Sequence, residues 1–253
     1  MGIEGVDIAN KLFPKETGEI PYEIGTAVVV VSGFEKQLLL NPSLVSEQFT
    51  SEERLHCEDK PEKLAGRHAG KIAISQVLRY LNPHDVSIEP LSSGQPAVRL
   101  SGWAEHSAGP KRIHISIAHD ADLAAAMVLS SPQNLPSPGI GLDIASVDRI
   151  TEAIGKHGDR FLKRQYTQSE IDESSGDMEI LTEKWAGKEA LAKALGTGFW
   201  RDGVAFTDVE IIGSEANLTG GALARARELG YSSWRIHIQR SVSDTIVSYA
   251  IIY

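Results

Sequence analysis

Hydrophobic and polar positions along this chain follow two periods. Val147, Ile150 and Ile154 recur at spacings of three and four in the stretch running into DRITEAIGKHGDRFLKRQYT, which is the apolar face of a helix. EILTEKWAGKEALAKALGTG, residues 179–198, carries the clearest helical pattern, and Gly196 or Gly198 supplies its stop. Shorter apolar runs bounded by Gly and Pro predict strands. GTAVVVVSG is one, and PGIGLDIASV, opened by Pro138 and Gly139, is another. VAFTDVEII predicts a further strand, GGALARARELGY a small-residue helix, and WRIHIQ with DTIVSYAII an antiparallel hairpin. The earlier part of the chain follows the same plan, with helices over 61–80 and strands over 112–118 and 122–129.

That sameness extends to the residues. RIHISIAHDADLAAAMVL from Arg112 aligns with RIHIQRSVSDTIVSYAII from Arg235 at an offset of 123. FTSEE at Phe49 resembles YTQSE at Tyr166 (offset 117), and LAGRHA at Leu64 resembles WAGKEA at Trp185 (offset 121). IGTAVVVV at Ile24 resembles IGLDIASV at Ile140 (offset 116). The drift is small, as loop insertions would give. The fold class is therefore α+β, with two tandem copies of one unit over 23–131 and 138–253. A Pro/Ser-rich linker, SSPQNLPSP, joins them, and an extension precedes them at 1–22. Two copies in one chain are expected to pack as a pseudodimer, which makes a monomer the expected state.

Composition narrows the function classes. The 253 residues suffice for a real core. A net charge of −9 argues against non-specific nucleic-acid binding. Cys57 is the only cysteine, so neither an internal disulfide nor a thiol zinc cluster can form, which fits a cytoplasmic location. No apolar run approaches the ~20 residues of a membrane helix. The start has no basic region before a long apolar one, and Val6 argues against a myristoylation signal.

Candidate chemistry centres on Asp143, which sits inside an apolar strand where an unpaired charge is costly. Glu189 lies on the long helix, with Lys188 before it and Lys193 one turn later. Two carboxylates from different elements, beside lysines, suit a magnesium ion carrying a pyrophosphate. The spacing equally allows a plain Glu189–Lys193 surface pair. Between the copies, Asp143 aligns with Ala27 and Glu189 with His68, so the first copy lacks both carboxylates. Conversely Ser116, His119 and Asp120 align with Gln239, Val242 and Ser243. Each half lacks what the other keeps, as a single composite site would require, although drift around a structural histidine gives the same pattern. GVDIA at residues 5–9 imitates GLDIA at 141–145, but Asp7 lies outside the repeat register and is expected to be a surface residue.

These motifs resemble the 4′-phosphopantetheinyl transferases. GIGLDIASVDRI, RFLKRQYTQSEID and WAGKEALAKALGTG look like the holo-acyl-carrier-protein synthase pattern, and GQPAVRLSGWA and RIHISIAHDADLAAAMV look like that family's later motifs. The tandem arrangement is similar to Sfp-type pseudodimers. The resemblance implies transfer of 4′-phosphopantetheine from coenzyme A, as substrate, to a serine of an apo acyl or peptidyl carrier protein. Asp143 and Glu189 would bind Mg²⁺, with Mn²⁺ as an alternative. Lys188 and Lys193 would contact the phosphates. Ser116 and His119 would bind the nucleotide end, and the Gly196–Gly198 turn would offer backbone donors. Ala145 stands where Sfp-type members often carry a third carboxylate. Gln95 stands where a basic residue is common, and Arg67, aligned with Lys188, is a substitute for it or a plain surface residue. The base is Glu189 or a metal-bound water.

Arg149, Lys156, Arg160 and Lys163 would form one basic face if helical, a dock for an acidic carrier or a plain solvated face. Fatty-acid, polyketide and non-ribosomal peptide carriers all fit. Two other readings stand beside this one: a non-catalytic carrier-protein or coenzyme A binding protein of the same fold, and a Mg²⁺-dependent nucleotide hydrolase.

Overall fold

The computed structural model describes residues 22–78, 82–200, 203–240 and 244–253. Asp7, all of the expected N-terminal extension but Tyr22, and Val242 and Ser243 lie outside them. The chain divides into two compact units, with the boundary between Ser137 and Pro138. Among the described residues no helix is long and apolar enough to cross a membrane.

In the first unit β1 (Glu23–Val30) leads into α1 (Val31–Leu40), α2 (Ser43–Gln48), α3 (Ser51–Cys57) and the long α4 (Pro61–Val77). A 3-10 turn at Pro83–Asp85 follows, then the ribbon β2 (Val86–Pro90) and β3 (Pro96–Leu100) and the short α5 (Gly102–Ala108). The hairpin β4 (Lys111–Asp120) and β5 (Leu123–Pro132) closes the unit. The sheet order is β1-β5-β4, antiparallel throughout, with Ala126 paired to Ala27 on one side and Ile117 on the other. Small residues let α4 lie close on this sheet. A Cβ on Gly25 would collide with the Ala73 carbonyl, and one on Gly70 would meet Ile88 and Ile115. Ala69, Ala73, Ile74, Ile115 and Val128 fill the core between them.

The second unit holds β6 (Gly139–Ser146), α6 (Val147–His157), α7 (Asp159–Gln165), α8 (Gln168–Ser174) and the long α9 (Met178–Ala194). After a 3-10 turn at Phe206–Asp208 come β7 (Val209–Ile212), β8 (Glu215–Leu218), α10 (Gly220–Glu228), β9 (Trp234–Arg240) and β10 (Thr245–Ile252). Its sheet order is β6-β10-β9, again antiparallel. Here a Cβ on Gly141 would collide with the Ala190 carbonyl, and one on Gly187 would meet Ile211, Ile236 and Ile238.

Two local expectations are corrected. VAFTDVEII is a strand only from Val209, because the Asp208 carboxylate accepts the Ala205 and Gly221 amides and bends the preceding residues into a 3-10 turn. The stretch from Arg149 to Lys163 is not one helix. The Gly158 amide caps the Ile154 carbonyl at 2.7 Å, and Gly158 takes φ 56°, so α6 ends at His157 and α7 starts afresh.

Each unit is fastened by a buried ion pair of one design. In the first, Thr50 caps α3 and Glu53 returns the bond to the Thr50 amide. Glu53 also accepts the Ile88 amide and pairs with Lys71 at 2.7 Å. In the second, Thr167 caps α8, and Glu170 accepts the Thr167 and Ile211 amides and pairs with Lys188 at 2.6 Å. Arg67 donates to the Ile88 carbonyl as Lys184 does to the Ile211 carbonyl. Gln76 donates to the Thr26 carbonyl as Lys193 does to the Leu142 carbonyl.

These contacts correct the register between the two stretches. Lys71, not Arg67, corresponds to Lys188, so Ile72 rather than His68 corresponds to Glu189, and Gln76 to Lys193. In the hairpins, Ile115 and Ile117 flank Gly70 as Ile236 and Ile238 flank Gly187. Ser116 therefore corresponds to His237 and His119 to Arg240, not to Gln239 and Val242.

Candidate active site

Asp143 owes its place to the alternation of β6. Gly139, Gly141 and Asp143 share one strand face, and the two glycines let the α9 backbone close in on it. Asp143 is therefore the first acidic side chain on β6 to meet α9. Its Oδ1 accepts from Lys193 Nζ at 2.8 Å, and the same ammonium donates to the Leu142 carbonyl at 2.8 Å. The Lys193 side chain is 32% exposed and that of Asp143 12%, so the pair is open from the lysine side.

Glu189, half-buried on α9, has its carboxyl pushed up to about 7. Burial is the main cause and the neighbouring Asp143 charge the second, with Lys193 and Arg149 opposing. A carboxyl whose proton affinity is raised by burial and by a neighbouring carboxylate belongs to a donor set that a divalent cation relieves. The pair's oxygen chemistry, with room left for water and phosphate, suits magnesium. Among the described residues no group of three or more His, Cys, Asp or Glu is placed to hold a metal. Ala145, at the place of a third, is fully buried against Ala186 and Ile246.

The other expected contacts fare differently. Lys188 cannot touch a phosphate. Its side chain is 0% exposed, and its ammonium donates to the Gln165 carbonyl, the Phe206 carbonyl and Glu170, which uses all three donors. Burial holds it below the ordinary lysine value while Glu170 pulls it back.

The Gly196 and Gly198 amides are also spent, on the Lys193 and Ala192 carbonyls. What these glycines supply is positive φ, 76° and 70°, to end α9.

Ser116 and His119 both lie on β4, three residues apart and so on opposite faces. Ser116 is buried and His119 exposed, and they do not form one patch. Arg149, Lys156, Arg160 and Lys163 are all exposed, the first two on α6 and the last two on α7. Gln95 is engaged in its own turn with Ser93, and Arg67 in its bond to the Ile88 carbonyl.

Sequence reasoning missed the buried Glu–Lys pairs, although the T-x-x-E spacing at Thr50 and Thr167 marks their caps. It also missed Trp200, which is exposed with Arg164 lying 4.4 Å from its ring centroid.

Comparison with known proteins places these residues in a family context. Residues 139–250 match the 4′-phosphopantetheinyl transferase superfamily. The chain is 43% identical over 105 residues to a holo-[acyl-carrier-protein] synthase of Roseiflexus castenholzii, covering 38% of this chain and 77% of that protein. It is 42% identical over 116 residues to one of Solidesulfovibrio magneticus, covering 41% of this chain and 88% of that protein. The crystal structure of the holo-[acyl-carrier-protein] synthase from Neisseria meningitidis aligns at 32% identity and a TM-score of 0.41, covering 46% of this chain and 97% of that one.

Proposed function

The chain belongs to the 4′-phosphopantetheinyl transferase superfamily and is a phosphopantetheinyl transferase, and on that premise we propose that it moves phosphopantetheine from coenzyme A to a serine of an apo carrier protein. The observation that carries this reading is the packing of α9 on β6, which sets Glu189 and Asp143 together with Lys193 beside them.

The serine hydroxyl attacks the β-phosphate of coenzyme A, and 3′,5′-ADP leaves. Asp143 and Glu189 would hold a magnesium ion, which supplies charge neutralisation for the pyrophosphate. Lys193, a third exposed beside Asp143, would offer its ammonium to the phosphates from the open side. Lys188 is withdrawn from that role. Burial and the Asp143 charge push the Glu189 carboxyl up to about 7, and the serine proton would pass to Glu189 or to a metal-bound water.

We read the two units as tandem copies. Their common strand order, their close-approach glycines and the recurring Thr–Glu–Lys fastening support this. With Ala27, Ile72 and Gln76 where the second unit has Asp143, Glu189 and Lys193, the metal chemistry belongs to the second unit alone. The nucleotide end of coenzyme A is assigned to His119, the exposed member of the expected pair. The exposed Arg149, Lys156, Arg160 and Lys163 form a basic zone on a chain of net charge −9 and suit an acidic carrier. One chain is then the working unit.

Two substitutions test these roles. Asp143→Ala should abolish transfer while the thermal midpoint stays within a few degrees. His119→Ala should raise KM for coenzyme A by roughly tenfold, the cost of one charge-assisted contact. Transfer that survives Asp143→Ala would overturn the assignment of the metal site.

A further inference from the structure

Five aromatic side chains of the second unit form a connected run. Phe161 on α7 stacks on Trp185 of α9 at 5.6 Å between centroids, and Trp185 packs on Phe206 at 4.6 Å. Phe206 in turn meets Phe199 at 3.7 Å and Trp200 at 6.1 Å. The run passes from the interior, where Phe206 is 3% exposed, to the surface, where Trp200 is 52% exposed.

Trp200 sits at φ 66°, in the left-handed region. A bulky side chain there is strained, and glycine would hold the same turn without cost. A ring that is half in solvent does not repay that strain through core packing. Such outliers gather where a side chain has a contact to make.

The surroundings indicate with what. The Arg164 guanidinium lies 4.4 Å from the Trp200 ring centroid, a cation–π contact that steadies the ring. Arg160, Lys163 and Arg164 stand at i, i+3 and i+4 of α7, share one face and are all exposed. Trp200 is thus an apolar tip bordering a cationic face, on a chain that is acidic as a whole.

We infer that Trp200, braced by Arg164, is a specificity-determining contact for the carrier protein. The occupant is an acidic protein surface that presents an apolar side chain among its carboxylates. Such a surface engages the ring and the three cations together. Arg164 takes one face of the ring, and the three cations on α7 beside it favour an extended acidic surface over a single base. Trp and Arg are also the side chains most often found to dominate protein interfaces. The inference rests on the transfer reading above and deepens it.

Trp200→Gly is the direct test. Glycine relieves the strained φ, so the thermal midpoint should hold or rise. KM for the apo carrier should rise about tenfold, with kcat at saturation and KM for coenzyme A unchanged. An unchanged carrier KM, or a rise in the coenzyme A KM in its place, would overturn the inference. Arg164→Gln leaves the turn untouched and should give a smaller rise in the same KM with a weaker salt dependence; no change would count against it. Calorimetric titration with an apo carrier whose acceptor serine is alanine needs no turnover. Binding to the wild type but not to Trp200→Gly supports the contact, and equal binding to both refutes it alone. No carrier binding or transfer by the wild type would remove the transfer reading as well.

Discussion

Lys188 and Lys193 lie five residues apart on one helix and do opposite work. Lys188 gives its three protons to Glu170 and two carbonyls in a site with no exposure, tying the end of α7, the start of α8 and the 206–208 turn to α9. Lys193 is a third exposed and reaches Asp143. Lys188→Met would strand the buried Glu170 carboxylate, and breaking such a pair costs about 3–5 kcal/mol. Lys193→Met should cost about 1 kcal/mol or less and remove transfer instead. Urea midpoints of the two variants, measured beside their transfer rates, check this; a stable Lys188→Met that is inactive would return Lys188 to the phosphates. Residue type was legible in WAGKEALAKAL, but depth was not. A lysine bound for the interior and one bound for the rim look alike until the T-x-x-E caps are seen to bring Glu53 and Glu170 beneath the helices.

Elements carry the next level of consequence. His68 on α4 stacks on Phe34 at 5.0 Å and meets Phe49 edge-on at 6.4 Å. Burial, with the Lys71 charge beside it, lowers its pKa from 6.5 to about 4. The unfolded chain therefore binds a proton between pH 6.5 and 4 that the folded chain refuses. Stability is full above pH 6.5 and is lost as pH falls through that window, on the order of 2 kcal/mol by pH 5. His68→Phe keeps an aromatic ring against Phe34 and Phe49. It should shrink the drop in thermal midpoint between pH 7 and pH 5; half-buried His114, lowered in the same direction, retains part of it. An undiminished drop would show that His68 is not the group responsible. The periodic elements, α4, α9 and both hairpins, were legible because their patterns are long. The break at Gly158 was not, since the basic spacing runs on across it and only the glycine's positive φ stops the helix.

At the scale of the molecule, two units of 3-stranded sheet, long helix and 2-stranded ribbon are built from one chain. On the proposed tandem reading, the sequence alignment of the helices differs by four residues from the match between their side-chain bonds. Four residues is about one helical turn, so the wrong pairing of His68 with Glu189 preserves the apolar face and looks as good as the right one. Side-chain bonds to equivalent carbonyls, Gln76 to Thr26 and Lys193 to Leu142, fix the true register. They leave the first unit with Ala27, Ile72 and Gln76, a set without any ionisable group. On the proposed reading the molecule carries one metal-dependent transfer site, built on Asp143 and Glu189.

The most direct test is the intact mass of an apo carrier protein after incubation with this protein, coenzyme A and Mg²⁺. A panel should span fatty-acid, polyketide and non-ribosomal peptide carriers. The account predicts gain of a single phosphopantetheine on at least one carrier, lost with EDTA and lost with Asp143→Ala. No gain on any carrier while coenzyme A still binds, or a gain indifferent to Asp143, would contradict it.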